Sequence, residues 1–265
     1  MKSSRGAYLR RLAGVATALS ATVPTTTAFD AQQYASTFPP GIEHLYWHRG
    51  RNRILMRQLA PRVSKSDLIL DVGCGPGVAV DYLRRAGFHC EGVEPGHPTY
   101  QVPGTIGHLH TGQDALTLPS EYRARVYALL LLDVLEHIED PGAFFRECDE
   151  AFPNLRWLFV TVPARMELWS NYDEEFGHYR RYSLESLRAT PVPPRFTLED
   201  AGYFFHSLYW VARALKVFTA NRNTVVRTPR PPLVHDMIGR LLAFEERHTS
   251  GASPGSSLYG VYRRR

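Results

Sequence analysis

The feature that most constrains this chain is seven residues long: Asp71-Val72-Gly73-Cys74-Gly75-Pro76-Gly77. The run Leu68-Ile69-Leu70-Asp71-Val72 closes on it as a short buried strand. Beyond it, Val78, Tyr82, Leu83 and Ala86 recur at helical spacing until Gly87. A strand, a glycine turn and a helix open the repeating unit of a parallel sheet. The pattern continues downstream. Phe88–Glu94 reads as a second strand, Ile106–His110 as a weak third, and Val126–Leu132 as a central, fully apolar one. Pro141 starts a helix reaching Ala151, and Leu155–Val162 is the next strand. Residues 164–182 read as a long loop, and Ser183 caps a short helix. Arg195–Phe205 reads as a strand pair or one long strand and Leu258–Tyr262 as a final strand, with helical patterns over His206–Phe218 and Asp236–Glu246 between them. The expected fold is α/β: a doubly wound, seven-stranded, mostly parallel sheet with a helical insertion before the last strand.

With 265 residues, the chain is long enough to bury a core without disulfides. Its three cysteines, Cys74, Cys90 and Cys148, include no C-x-x-C pair, which excludes a zinc ribbon and points to a reducing, cytoplasmic setting. The net charge of +5 rests on the two tails, where Lys2, Arg5, Arg10, Arg11, Arg263, Arg264 and Arg265 lie. The remaining 24 basic residues face 26 acidic ones, a balance that argues against a nucleic-acid surface. Residues 1–29 carry four basic residues and no acid. They read as a disordered extension, or alternatively as an organelle-targeting or export peptide. Residues 30–265 then form one domain, a cofactor half over about 60–162 and an acceptor or lid half over about 163–265.

The acids around the glycines select the ligand. In such a sheet, ligands bind at the carboxyl ends of the strands. Glu94 ends the second strand, where a carboxylate accepts from both hydroxyls of a ribose. A dinucleotide would set its pyrophosphate against Asp71, a repulsive arrangement in a low-dielectric site. The spacing is also G-x-G-x-G rather than G-x-G-x-x-G. S-adenosylmethionine carries a sulfonium and an ammonium instead, and Asp71 attracts both.

Asp71 to Gly77, followed by Glu91-Gly92-Val93-Glu94-Pro95-Gly96, resembles class I S-adenosylmethionine-dependent methyltransferases. The resemblance covers about Trp47 to Val162 and, more loosely, the rest. It implies that Gly73, Gly75 and Gly77 shape the methionine side of the pocket and that Glu94 binds the ribose. It implies that Asp114, in Gly112-Gln113-Asp114-Ala115, meets the adenine amino group. Leu131-Leu132-Asp133-Val134-Leu135-Glu136-His137 resembles the segment beside the methionine carboxylate and the substrate. Upstream, Trp47 to Arg53 resembles a W-x-R-x-R-N segment covering the cofactor, with Arg51 as the partner of the methionine carboxylate.

Phe176-Gly177-His178-Tyr179-Arg180-Arg181-Tyr182 resembles a G-H-Y-R-R-Y segment of one bacterial branch, associated with glycan, lipid or secondary-metabolite modification. The expected reaction is methyl transfer to a small-molecule oxygen, or secondarily a nitrogen. His178 and His137 are the candidate general bases. Asp133, Glu136 and His137, at i, i+3, i+4, would share one helical face and with His178 offer a divalent-metal set. That set is similar to the sites of small-RNA 2′-O-methyltransferases and some ubiquinone-pathway enzymes. It keeps open a metal-assisted RNA methyltransferase; a non-catalytic binding protein of the same fold is the other alternative. Phe204, Phe205, Tyr209, Trp210 and Phe218 read as extra core, or else as a lid or peripheral membrane contact over 204–218.

Overall fold

The computed structural model describes residues 29–218 and 225–265. The expectation for residues 1–29 thus lies outside the described residues, apart from Phe29. Seven strands form one sheet: β1 (Leu68–Val72), β2 (Cys90–Glu94), β3 (Leu109–Thr111), β4 (Val126–Leu132), β5 (Trp157–Pro163), β6 (Phe196–Phe204) and β7 (Ser257–Arg264). Their order is β3-β2-β1-β4-β5-β7-β6. The first five are parallel; β7 runs antiparallel between β5 and β6. The strand order reverses between β1 and β4, so their carboxyl ends frame the crevice where ligands enter.

The sheet is covered on both faces because β1 is buried along its whole length. Leu68, Leu70 and Val72 join one core with Leu129, Leu131, Phe144 and Phe145. Ile69 joins the other, with Leu130, Leu55, Leu59, Val80 and Leu83. Each fully buried leucine contributes about 1.5–3 kcal/mol. The helices are α1 (Ala31–Thr37), α2 (Tyr46–Leu59), α3 (Val78–Arg85), α4 (Ser120–Arg123), α5 (Pro141–Ala151), α6 (Asn171–Glu175), α7 (Leu184–Ala189), α8 (His206–Phe218) and α9 (Pro232–His248). α2 and α3 pack on the second core and α5 on the first. α9 crosses α2 closely. A side chain at Gly50 would meet the Phe205 ring at 2.8 Å, and one at Gly239 would meet Arg49 at 2.7 Å.

Several expectations shift. The third strand begins at Leu109, and Ile106 is exposed. The stretch 164–182 is not all loop: Ser170 and Asp173 form a capping box that starts α6. Arg263 and Arg264 are not tail residues but part of β7; Arg264 pairs with buried Asp149, and Arg263 lies over Trp157. Of the aromatics assigned to extra core, Phe204, Phe205 and Tyr209 are buried, whereas Trp210 is exposed. Among the described residues no helix is long and apolar enough to cross a membrane.

Candidate active site

A cavity of about 820 Å³ opens at the carboxyl ends of β1 and β4. Its floor is the turn after β1. Gly73, Gly75 and Gly77 all have positive φ, at 70°, 53° and 88°, so the turn tightens without strain. Gly73 and Gly75 line the cavity. Gly77 does not; a side chain there would strike Thr105 at 2.9 Å and Leu109 at 3.0 Å. A glycine there leaves room for Thr105 and Leu109 beside the turn.

Glu94 is buried at the cavity edge, and its carboxylate accepts from Gly75 N–H (2.7 Å) and Gly96 N–H (3.2 Å). It also accepts from the Tyr34 hydroxyl at 2.7 Å. Tyr34 comes from α1, which Asp30 caps, and whose Phe38 lies against Gly75. Nothing in the sequence spacing signals this contact across 60 positions. Asp114 caps the turn Ala115–Thr117. Its Oδ1 accepts from Leu116 N–H at 2.8 Å as a helix cap, and it does not line the cavity.

Asp71 is buried, and its Oδ1 has no partner. Burial pushes its carboxyl up to about 7; Arg51 opposes the shift, while Glu94 and Asp133 add to it. Arg51 sits on α2 with its guanidinium 5.0 Å from the Trp47 ring centre and donates to Asp133 Oδ2 at 2.7 Å. Asp133 follows β4 in the left-handed region, at φ 61°. An aspartate held there stores strain, a recurrent trait of functional sites.

The residues after Asp133 form one tight turn, Leu135–His137, not an α-helix. The expected helical face of Asp133, Glu136 and His137 therefore does not exist. Asp133 turns to Arg51. Glu136, His137 and His178 come together, with one ligand-type atom from each lying within 4.8 Å of the others. Glu136 Oε2 and His137 Nδ1 are buried without partners. Burial, then the charge of Asp133, raises the Glu136 pKa well above the usual range. Burial, then His178, lowers His137 to about 4, so it is neutral at physiological pH.

His178 is held by a residue the sequence did not single out. Its Nδ1 lies 2.9 Å from Asp173 Oδ1, and Arg181 binds both oxygens of Asp173 at 2.7 and 3.0 Å. Asp173 is fully buried. Burial alone would raise its pKa, but the bonds from His178 and Arg181 hold it well below the usual range. The spacing Asp173, His178, Arg181 was readable only once α6 was known to turn the carboxylate back. The roof is apolar: Phe176 and Leu168 from this stretch, Leu208, Val211 and Leu215 from α8, and Phe29.

A crevice at the strand-order reversal, a glycine turn and buried acids that would meet a cationic ligand define a methyltransferase site. The chain belongs to the methyltransferase-domain family, whose model matches residues 45–192. It is 28% identical over 207 residues to a probable S-adenosylmethionine-dependent methyltransferase of Mycobacterium tuberculosis, covering 68% of this chain and 69% of that one. A ubiquinone biosynthesis O-methyltransferase of Proteus mirabilis is 28% identical over 109 residues, 38% of this chain and 44% of the relative. Among solved structures, coclaurine N-methyltransferase bound to N-methylheliamine and S-adenosylhomocysteine aligns with TM-score 0.54 at 11% identity, covering 90% of this chain and 82% of that one. The geranyl diphosphate C-methyltransferase of Streptomyces coelicolor A3(2) gives 0.51 at 15% identity, covering 92% and 91%. These two share the fold. The chain is a methyltransferase that uses S-adenosylmethionine.

Proposed function

We propose that this enzyme methylates an oxygen of a small, largely apolar acceptor, with His178 as general base. The observation that carries the reading is His178 on the cavity wall, held from behind by Asp173. S-adenosylmethionine, when bound, supplies an electrophilic methyl group whose transfer discharges its sulfonium. Asp71 and Glu94 are the acids positioned for its cationic and ribose parts, and Arg51 is the cation for its carboxylate. An oxygen acceptor also has to shed a proton. In the neutral ring, Nδ1–H donates to Asp173, which leaves Nε2 as the acceptor for that proton. Asp173 stabilises the imidazolium so formed, and Arg181 keeps Asp173 ionised. His137, buried and neutral beside His178 at a ring-centre distance of 4.7 Å, adds no competing charge. The apolar roof excludes water from the acceptor.

The test is transfer of labelled methyl groups to a panel of hydroxylated amphiphiles. His178→Asn is expected to lower kcat by about 100-fold while S-adenosylhomocysteine binding stays unchanged. Unaltered kcat would remove His178 as base. A nitrogen acceptor, needing no base when neutral, would show itself by turnover of amine probes alone.

A second reading is favoured by the Glu136, His137 and His178 cluster. A carboxylate and two imidazoles suit a divalent cation of the first transition row, and the two buried atoms without partners fit ligands awaiting one. Asp173 would then orient His178 from behind. The cation would lower the acceptor hydroxyl's pKa. Elemental analysis decides this: about one metal per chain, lost in His137→Ala, supports it. A metal-free enzyme at full activity in chelator rejects it.

A further inference from the structure

We propose that the outer face of α8 and α9 docks on an anionic lipid surface and that the acceptor reaches the cavity from that surface. The second half of this inference rests on the methyl-transfer reading above; the first does not.

α9 exposes Leu233, Val234, Met237, Leu241 and Phe244, at 84%, 43%, 57%, 61% and 61%. These positions fall within one stripe of the helix. The opposite side buries Gly239, Leu242 and Ala243 against α2 and Phe205. α9 is thus fully docked on the fold, and its apolar stripe faces outward by construction. α8 repeats the pattern with Trp210, Val211 and Leu215 exposed at 61%, 53% and 55%. The two helices meet where the Glu245 carboxylate accepts from Ser207 N–H, at the first turn of α8. Eight exposed large apolar side chains on two adjoining helices mark an interaction site.

Charge selects the occupant. From His206 to His248 the sequence has seven Arg or Lys, at 213, 216, 222, 227, 230, 240 and 247, and three carboxylates, Asp236, Glu245 and Glu246; Glu245 accepts from Ser207 N–H and Glu246 pairs with Arg57. Asp236 is already engaged by Arg49, Arg53 and Arg240. Arg213, Lys216, Arg227, Arg230 and Arg240 are exposed. Pairing with a second copy would set this basic surface against itself. An anionic bilayer accepts both components: the apolar stripe enters the headgroup boundary, and the cations meet the lipid charge.

The placement has a consequence for the substrate. Val211 and Leu215 belong to the exposed surface of α8 and also line the cavity, as do Leu208 and Ala212 on the same helix. A docked α8 therefore brings the apolar cavity mouth to the bilayer, and the acceptor class is an amphiphile with its apolar part in the membrane.

The experiment is flotation of the full chain with vesicles of phosphatidylcholine alone or mixed with phosphatidylglycerol. Binding to anionic vesicles is expected to exceed that to neutral ones by at least about tenfold and to fall at high salt. The variant Leu233→Ser/Leu241→Ser/Phe244→Ser, none of whose positions lines the cavity, is expected to lose binding by about tenfold or more. Its circular dichroism and its S-adenosylhomocysteine affinity are expected to match the parent. Equal binding to both vesicle types, or binding undiminished in the variant, overturns the proposal. So does a concentration-dependent dimer that the variant abolishes, since the stripe would then be covered by a second copy. Lost vesicle binding with intact S-adenosylhomocysteine binding leaves the methyl-transfer reading in place.

Discussion

The two halves of the molecule treat their buried charges in opposite ways. Around β1 and β4 they are left open. Asp71 Oδ1 and Glu136 Oε2 are buried without partners, and Arg51 offsets Asp71 and, with smaller help from His178 and Thr161, Asp133. In the later half they are closed: Asp173 binds His178 and Arg181, and Asp236 gathers three arginines. Uncompensated buried charge is costly, and a cationic ligand at Asp71 would complete the first arrangement. The second arrangement is complete without one and fixes geometry instead. The first arrangement suits a cationic ligand, and the second holds His178 at the cavity.

Four changes break or sharpen this contrast. Asp173→Ala has the largest expected effect, because it strands Arg181 buried without its carboxylate. We expect a loss of about 4 kcal/mol in denaturant unfolding. The same pair sets a pH dependence: the depressed Asp173 pKa stabilises the fold above the ordinary carboxylate range, and that stability is lost as pH falls through the folded-state value. Next, Glu94→Ala is expected to weaken S-adenosylhomocysteine by about 100-fold in calorimetry, with a smaller loss for Glu94→Gln. A minor effect would move the ribose elsewhere.

Asp71→Asn tests the open charge directly. The wild-type carboxyl titrates at about 7, and a cationic ligand favours its ionised form. Affinity for S-adenosylmethionine should therefore rise from pH 6 to pH 8 by roughly tenfold and flatten in the variant. A pH-independent wild type would mean that Asp71 never meets the ligand's charge. The smallest effect is expected from Tyr34→Phe. The Tyr34 hydroxyl occupies Glu94, so its removal should tighten S-adenosylhomocysteine by about fivefold. Weaker binding instead would show that Tyr34 stays and contributes to the bound site.

The asymmetry also explains what could be read from the sequence. The glycine turn, β2 ending at Glu94, and β4 over Val126–Leu132 were legible because short-range patterns specify them. The seven strands and the insertion of α8 and α9 followed from the same periodicity. The site contacts that escaped are long-range: Tyr34 on Glu94 and Arg51 on Asp133 join positions 60 and 82 apart. Asp173 escaped for a local reason, since α6 was read as loop and only its capping turn brings Asp173 to His178. The cap made by Asp114 also escaped, because a capping aspartate and a ligand-binding one look alike in sequence. The metal set failed at Asp133, where a left-handed residue interrupts the presumed helix.

The position of β7 bears on how the protein is made. Residues 257–264 form the bridge between β5 and β6, and within the sheet β6 hydrogen-bonds to no other strand. While a ribosome is still adding residues before 257, strands β1 to β4 already have their neighbours and β5 has one of its two, but β6 has none. The cofactor half can thus consolidate during synthesis, whereas β6 must wait for β7. Before that moment β6 is an unpaired edge, the kind of surface on which nascent chains aggregate.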